Sequence, residues 1–162
     1  MKHKSLTIHY SESETTSELE QADQHLMQEA AKSADNAYAP YSDFRVGAAI
    51  RLSNGVIVTG SNQENAAYPS GLCAERVALF SASSLYPDKT IETIAITIKT
   101  PHNIIEPVSP CGACRQVIAE YENKQNKKIR IIFSGETGKS YTVEGIQNLL
   151  PITFDARNMK NG

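Results

Sequence analysis

Long apolar runs are absent from this sequence: no stretch approaches the ~18 consecutive nonpolar residues of a membrane span. The opening residues Met1 to Lys4 lead into Ser, Glu and Thr rather than into the apolar run of a secretory signal. A cytoplasmic protein without a membrane role is therefore expected. Charge of one sign is not in excess either. A formal net charge of -2, with acids and bases interspersed, gives no electrostatic reason to bind a phosphate backbone, so no nucleic-acid partner is expected. Cysteine is scarce, with three in 162 residues. An odd number in a reducing compartment points to metal ligation or chemistry more than to a disulfide framework. Internal repeats and long linkers are missing as well, and the length suits one compact domain with no room for a second catalytic one.

What is present organises into helices and strands. Residues 1–17 read as an N-terminal extension, an extended or mobile arm without a motif, and residues 18–162 as the single domain. Ser17 followed by Glu20 has the form of a capping box, and Leu19, Ala22, Leu26, Ala30, Ala34 and Ala37 recur at helical spacing until Pro40. The β-rich runs Phe44 to Leu52 and Val56 to Ser61 are joined through Ser53, Asn54 and Gly55, which predicts an antiparallel hairpin. A loop from Gln63 to Leu72 follows. A helix from Cys73 to about Leu85 precedes a strand from Ile91 to Thr100, and a helix from Cys111 to about Asn123 precedes a strand from Lys128 to Phe133. These helix-strand units predict a parallel pairing. Gly135 to Lys139 are too few for another parallel crossover, so Ser140 to Val143 should return antiparallel. A short helix from about Glu144 to Leu150 should stop at Pro151. The expected class is α/β, with a mixed five-stranded sheet and an antiparallel last strand.

The chemistry concentrates in the cysteines. Cys111 and Cys114 form a C-x-x-C pair at the start of one helix, and Cys73 holds the equivalent place on the helix before it. A helix N-terminus favours the thiolate that metal ligation needs. Two helices entering from one edge of a parallel sheet bring their N-termini together, so three thiolates can converge. Zinc prefers four ligands, and three from protein leave one position for water, with Glu75 two residues from Cys73 and close enough to handle its proton. Other readings stay open on these residues alone: a thioredoxin-like redox pair, a closed structural site completed by His102, or a Cys73 that merely packs.

Cys73-Ala74-Glu75-Arg76 and Pro110-Cys111-Gly112-Ala113-Cys114-Arg115-Gln116 resemble the two zinc motifs of the cytidine deaminase family. The similarity continues through Tyr38-Ala39-Pro40-Tyr41-Ser42, Phe44, Val46-Gly47-Ala48-Ala49 and Asn62 to Tyr68, and spans about Tyr38 to Phe154. It implies a three-layer fold with helices on both faces of the sheet. It also implies hydrolytic deamination of free cytidine and deoxycytidine at C4, giving uridine or deoxyuridine and ammonia in pyrimidine salvage. In this reading zinc, held by Cys73, Cys111 and Cys114, activates water while Glu75 moves protons to N3 and the leaving amine. Three thiolates lower the acidity of that water, and Arg76, by resemblance, offsets this with hydrogen bonds to ligand sulfur.

The resemblance also assigns the substrate contacts. Asn62 and Glu64, on one side of an extended segment, would bind the ribose, with Glu64 accepting the 3'-hydroxyl proton and repelling a phosphate there. Phe44 and Ala74 would line the nucleoside pocket. In the homotetrameric, three-cysteine branch that the chain resembles, the segment matching Leu149 to Phe154 delivers an aromatic ring to a neighbouring subunit's site. Phe154 would be that ring, and Ala66 and Tyr68 would reach a neighbour's site too, making a homotetramer with composite sites. The antiparallel last strand agrees with this branch, because deaminases of polynucleotides place a helix before a parallel last strand. Rival readings are a deaminase of a modified cytosine nucleoside of the blasticidin type, against which the Asn62/Glu64 pair argues, and a non-enzymatic zinc module.

Overall fold

The computed structural model describes residues Met1–Asp155. Alternation in the strands sorts the core into two layers. In β2 (Arg45–Leu52), β4 (Ile91–Lys99) and β5 (Arg130–Ser134), Ala48, Ile50, Ile94, Ile96, Ile131 and Phe133 face one side, where α2 (Ala74–Leu85) and α3 (Gly112–Gln125) add Ala78, Leu79 and Ile118. Their neighbours Ala49, Ala95 and Ile132 face the other side and pack on Leu26, Met27 and Ala30 of α1 (Gln21–Ala34). This period of two is what a sheet covered on both faces requires.

The sheet is mixed. Its order is β1-β6-β5-β4-β2-β3, where β1 is Ser11–Ser13, β3 is Ile57–Ser61 and β6 is Ser140–Glu144. β4 and β5 pair parallel and the remaining neighbours pair antiparallel, including the hairpin β2–β3 and the returning β6. The α/β class with helices on both faces is thus observed, as is the antiparallel return. Six strands replace the expected five. The extra one comes from the N-terminal segment, where Ser11, Glu12 and Ser13 pair with Thr142, Tyr141 and Ser140. Three polar residues carry no alternation to read, and their pairing is set by the partner strand.

Three local expectations need correction. Ser17 and Glu20 form no capping box: Thr16–Glu18 is a 3-10 turn, Ser17 shares its hydroxyl with Thr15 at 2.6 Å, and α1 starts after Glu20 without a side-chain cap. α1 also ends at Ala34, short of Ala37, because Tyr38 N–H donates to Asn62 O and Tyr38 O accepts from Glu64 N–H, which pulls the chain into extended form. The helix expected over 144–150 shrinks to a 3-10 turn, Ile146–Asn148, because Gly145 takes a positive φ of 89° and Glu122 captures the Ile146 N–H.

Two glycines set the helix-to-sheet distance. A Cβ on Gly47 would lie 1.9 Å from Ala30 O of α1, and one on Gly60 would lie 2.5 Å from Ala78 N and 2.8 Å from Ala74 O of α2. On the α1 face, Asp23 is buried between Arg51, whose Nη2 lies 3.0 Å from Oδ1, and Arg130, whose Nε lies 3.0 Å from Oδ2. The Arg51 contact is a hydrogen bond. The Arg130 Nε–H points off the bonding line, so that contact is one of charge alone.

Gly60→Ala should lower unfolding free energy by about 1–3 kcal/mol, because backbone rather than a flexible side chain must give way. Urea denaturation measures it, and an unchanged midpoint would refute the close approach. Glu122 supplies a second test. Its Oε1 accepts from Ile129 N at 2.8 Å and Ile146 N at 2.9 Å, yet burial pushes its carboxyl above the ordinary value of 4.5. The folded chain then holds that proton more tightly than the unfolded chain, so this contribution to stability falls as pH rises from 4.5 through the raised value. Glu122→Gln keeps an oxygen acceptor and should flatten that slope when thermal midpoints are compared across this range.

Candidate active site

α2 and α3 each begin with a cysteine in extended conformation: Cys73 at φ -72°, ψ 154° and Cys111 at φ -66°, ψ 167°. Neither sulfur caps its own helix, so both are free to point at a common centre. Cys73 Sγ lies 3.7 Å from Cys111 Sγ, Cys111 Sγ lies 3.5 Å from Cys114 Sγ, and all three fall within 4.8 Å of one another. The thiols are free, not paired in a disulfide. A tetrahedral ion with metal-sulfur bonds of about 2.3 Å would hold its sulfurs about 3.8 Å apart, so the cluster fits zinc. Among the described residues this cluster contains no histidine, and exposed His102 lies outside it, which removes the support for a closed site completed by that residue.

The charges around the sulfurs are ordered. The Cys73 thiol is pushed down to about 5, first by the S–H of Cys114 and then by Arg76. Cys114, fully buried, is pushed up, first by its contact with Cys73 and then by burial. Arg76 Nη2 stands 3.8 Å from Cys73 Sγ. Glu75, on the first turn of α2, is 4 % exposed, and burial raises its proton affinity. Its side chain still lines a cleft of about 720 Å³, a size suited to a small molecule.

Across that cleft, Glu64 is the opposite case. Ser42 Oγ donates to its Oε1, and the Tyr41 and Ser42 amides donate to its Oε2 at 2.9 and 3.3 Å. The Ser42 bond, followed by the Tyr41 amide, holds this carboxyl below its ordinary range. Asn62 is buried and its amide braces strand β2: Oδ1 accepts from Val46 N at 2.7 Å and Nδ2 donates to Phe44 O at 2.9 Å. One N–H of Asn62 remains for a ligand.

Of the residues singled out from the sequence, Phe44, Asn62, Glu64, Tyr68, Cys73, Glu75, Arg76 and Cys111 border this one cleft. Cys114 sits behind it with the other sulfurs. Ala74 is fully buried on the first turn of α2, exposed Ala66 is not part of the wall, and Phe154 is exposed outside it, its carbonyl held by Gln116 Nε2 at 2.8 Å. Sequence reasoning missed Tyr41 and Ser42 as supports for Glu64, and Val108 and Ser109 as wall residues. Ser42 stood inside a motif already noted. Its bond to Glu64 bridges 22 positions and leaves no local signal.

Comparison with known proteins converges on one family. A family model described as the cytidine and deoxycytidylate deaminase zinc-binding region matches residues 20–128. The chain is 38% identical over 138 residues to a cytidine deaminase of Halalkalibacterium halodurans, covering 85% of this chain and 98% of the relative. It is 47% identical over 98 residues to one from Sporosarcina psychrophila, covering 60% and 68% of the two chains. Among solved structures, the cytidine deaminase from Burkholderia pseudomallei superposes with a TM-score of 0.70 at 36% identity, covering 80% of this chain and 97% of that one. The cytidine deaminase from Mycobacterium tuberculosis gives a TM-score of 0.62 at 30% identity, covering 81% and 95%.

Proposed function

The chain belongs to the cytidine and deoxycytidylate deaminase family, and from this premise we propose that it hydrolyses the C4 amine of free cytidine and deoxycytidine, releasing ammonia, in pyrimidine salvage. The observation that carries the reading is the convergence of three sulfurs within 4.8 Å of one another beside a buried carboxyl that lines the cleft. Zinc held by Cys73, Cys111 and Cys114 would supply Lewis acidity to the attacking water.

The chain's own residues supply the rest. Glu75 carries the first proton of the water to N3 and then the second, from the hydroxyl that has added to C4, to the departing amine, so that water and cytidine leave as uridine and ammonia. Burial raises its proton affinity in the direction such a shuttle needs. Arg76, beside Cys73, draws negative charge from the sulfurs. Glu64, fixed by Ser42 and Tyr41, accepts a ribose hydroxyl, with the remaining Asn62 N–H beside it. Its full negative charge disfavours a phosphate at that oxygen, which supports a free nucleoside as substrate.

Phe44, which lines the cleft, would border the sugar. Phe154, Ala66 and Tyr68 are exposed on one protomer, consistent with residues that complete a neighbour's site in a homotetramer. Ala74, buried on the first turn of α2, would act through its backbone N–H. A cytoplasmic location accords with this role, and no helix among the described residues is long and apolar enough to cross a membrane.

Purified protein given cytidine, deoxycytidine, cytosine and cytidine monophosphate should deaminate the two nucleosides, and a strong chelator should abolish the activity. Glu75→Gln should lower kcat by about 10²–10⁴-fold while metal analysis still finds bound zinc. Full turnover in the metal-loaded variant would remove Glu75 from its role. For the composite site, Phe154→Ala should raise KM, and mixing it with Glu75→Gln should restore part of the activity through hybrid oligomers. A fully active monomer in sedimentation would refute that arrangement.

A further inference from the structure

The segment that delivers Cys111 is thinly tied to the fold. Pro107 and Pro110 have no N–H to donate, and Val108 N reaches Ser134 O only at 3.4 Å. Arg115, one residue after Cys114, supplies closer ties. Its Nε donates to Pro110 O at 2.7 Å and its Nη2 to Ser109 Oγ at 2.8 Å. The third nitrogen turns the other way: Nη1 donates to Leu149 O at 2.8 Å. One guanidinium therefore grips both the turn before Cys111 and the strap that closes the chain.

α3 holds that strap twice more. Gln116 binds Phe154 O, and seven residues after Arg115, two helical turns along, Glu122 accepts the Ile146 N–H. The strap from Ile146 to Phe154 is thereby fastened at its start, middle and end to the helix that carries Cys114.

We propose that Arg115 is a positioning residue for the metal site, coupling the C-terminal strap to Cys111 so that the strap holds this sulfur in register with the other two. The inference rests on the reading of Cys111 as a zinc ligand. An arginine fork meets three acceptors in three directions, which a lysine ammonium on its flexible stem does not. Cys111 is the most exposed of the three thiols, so packing alone does little to fix it.

The test uses the zinc-loaded full chain and follows zinc transfer to excess chromophoric chelator, together with the thiolate-to-metal absorption band of the cobalt-substituted protein. Partners that orient metal ligands commonly contribute 10–100-fold to affinity, and Arg115→Ala should release zinc at least about 10-fold faster and shift the cobalt band. Arg115→Lys should fall between it and the wild type, and carries the comparison if the alanine variant does not fold. Arg51→Ala, destabilised through Asp23 on the opposite face of the sheet, should keep the wild-type release rate and band. Wild-type behaviour in the Arg115 variants overturns the proposal, as does equally fast release from Arg51→Ala, since that would reflect general loosening. A wild-type chain that binds neither zinc nor cobalt overturns the metal reading itself and this inference with it.

Discussion

β2 is antiparallel to both β3 and β4, and β4 is parallel to β5, so β3, β4 and β5 all run in one direction. Each of α2 and α3 leaves the end of one of these strands, which forces both helices to begin at the same edge of the sheet. Cys73 and Cys111 stand at those two beginnings, and Cys114 is one turn further in. The site inherits its position from this shared strand direction, and Gly60 sets its depth by letting α2 settle against β3 without a methyl group between them. The positive ends of two helix dipoles then face the sulfurs from the protein side.

Within one cleft the fold tunes two carboxylates in opposite directions by two different means. Glu75 is buried on the first turn of α2, where the loss of solvent outweighs its hydrogen bonds and favours the protonated form. Glu64 lies on the open side and receives a hydroxyl and two backbone amides, which favour the charged form. The proposed reaction, with one carboxyl that takes and gives protons and one that stays ionised to hold a hydroxyl, needs this separation. The sequence places both glutamates in the motifs, but only the fold assigns them these surroundings.

The strands and two of the helices were legible because hydrophobic alternation and hairpin chemistry act over a few residues. The cysteines were legible because their spacing relative to helix starts has few structural uses. What failed to read was decided at long range. β1 exists because β6 offers an edge, α1 stops early because Tyr38 is drawn to the Asn62–Glu64 segment, and the turn at Ile146 stays short because Glu122 takes its N–H. The same holds around the site: Ser42 supports Glu64 across the chain, and Arg115 binds Leu149 34 positions away. Each is a tertiary hydrogen bond to a group whose own neighbourhood in sequence is unremarkable.

The short strand β1 also changes what the molecule offers to other proteins. Without it the sheet would end at β6 with Ser140, Tyr141 and Thr142 presenting unpaired backbone groups, a template on which a foreign strand could grow. Instead the chain's own N-terminal segment lies there, with Lys139 clasping Glu12 at 2.6 Å and Tyr10 against Tyr141 at 4.9 Å between ring centres. The new outer rim is three residues long and reads Ser-Glu-Ser, a poor seed for further pairing. The leading segment thus works as a guard strand for this margin of the sheet, leaving β3 as the edge at the other.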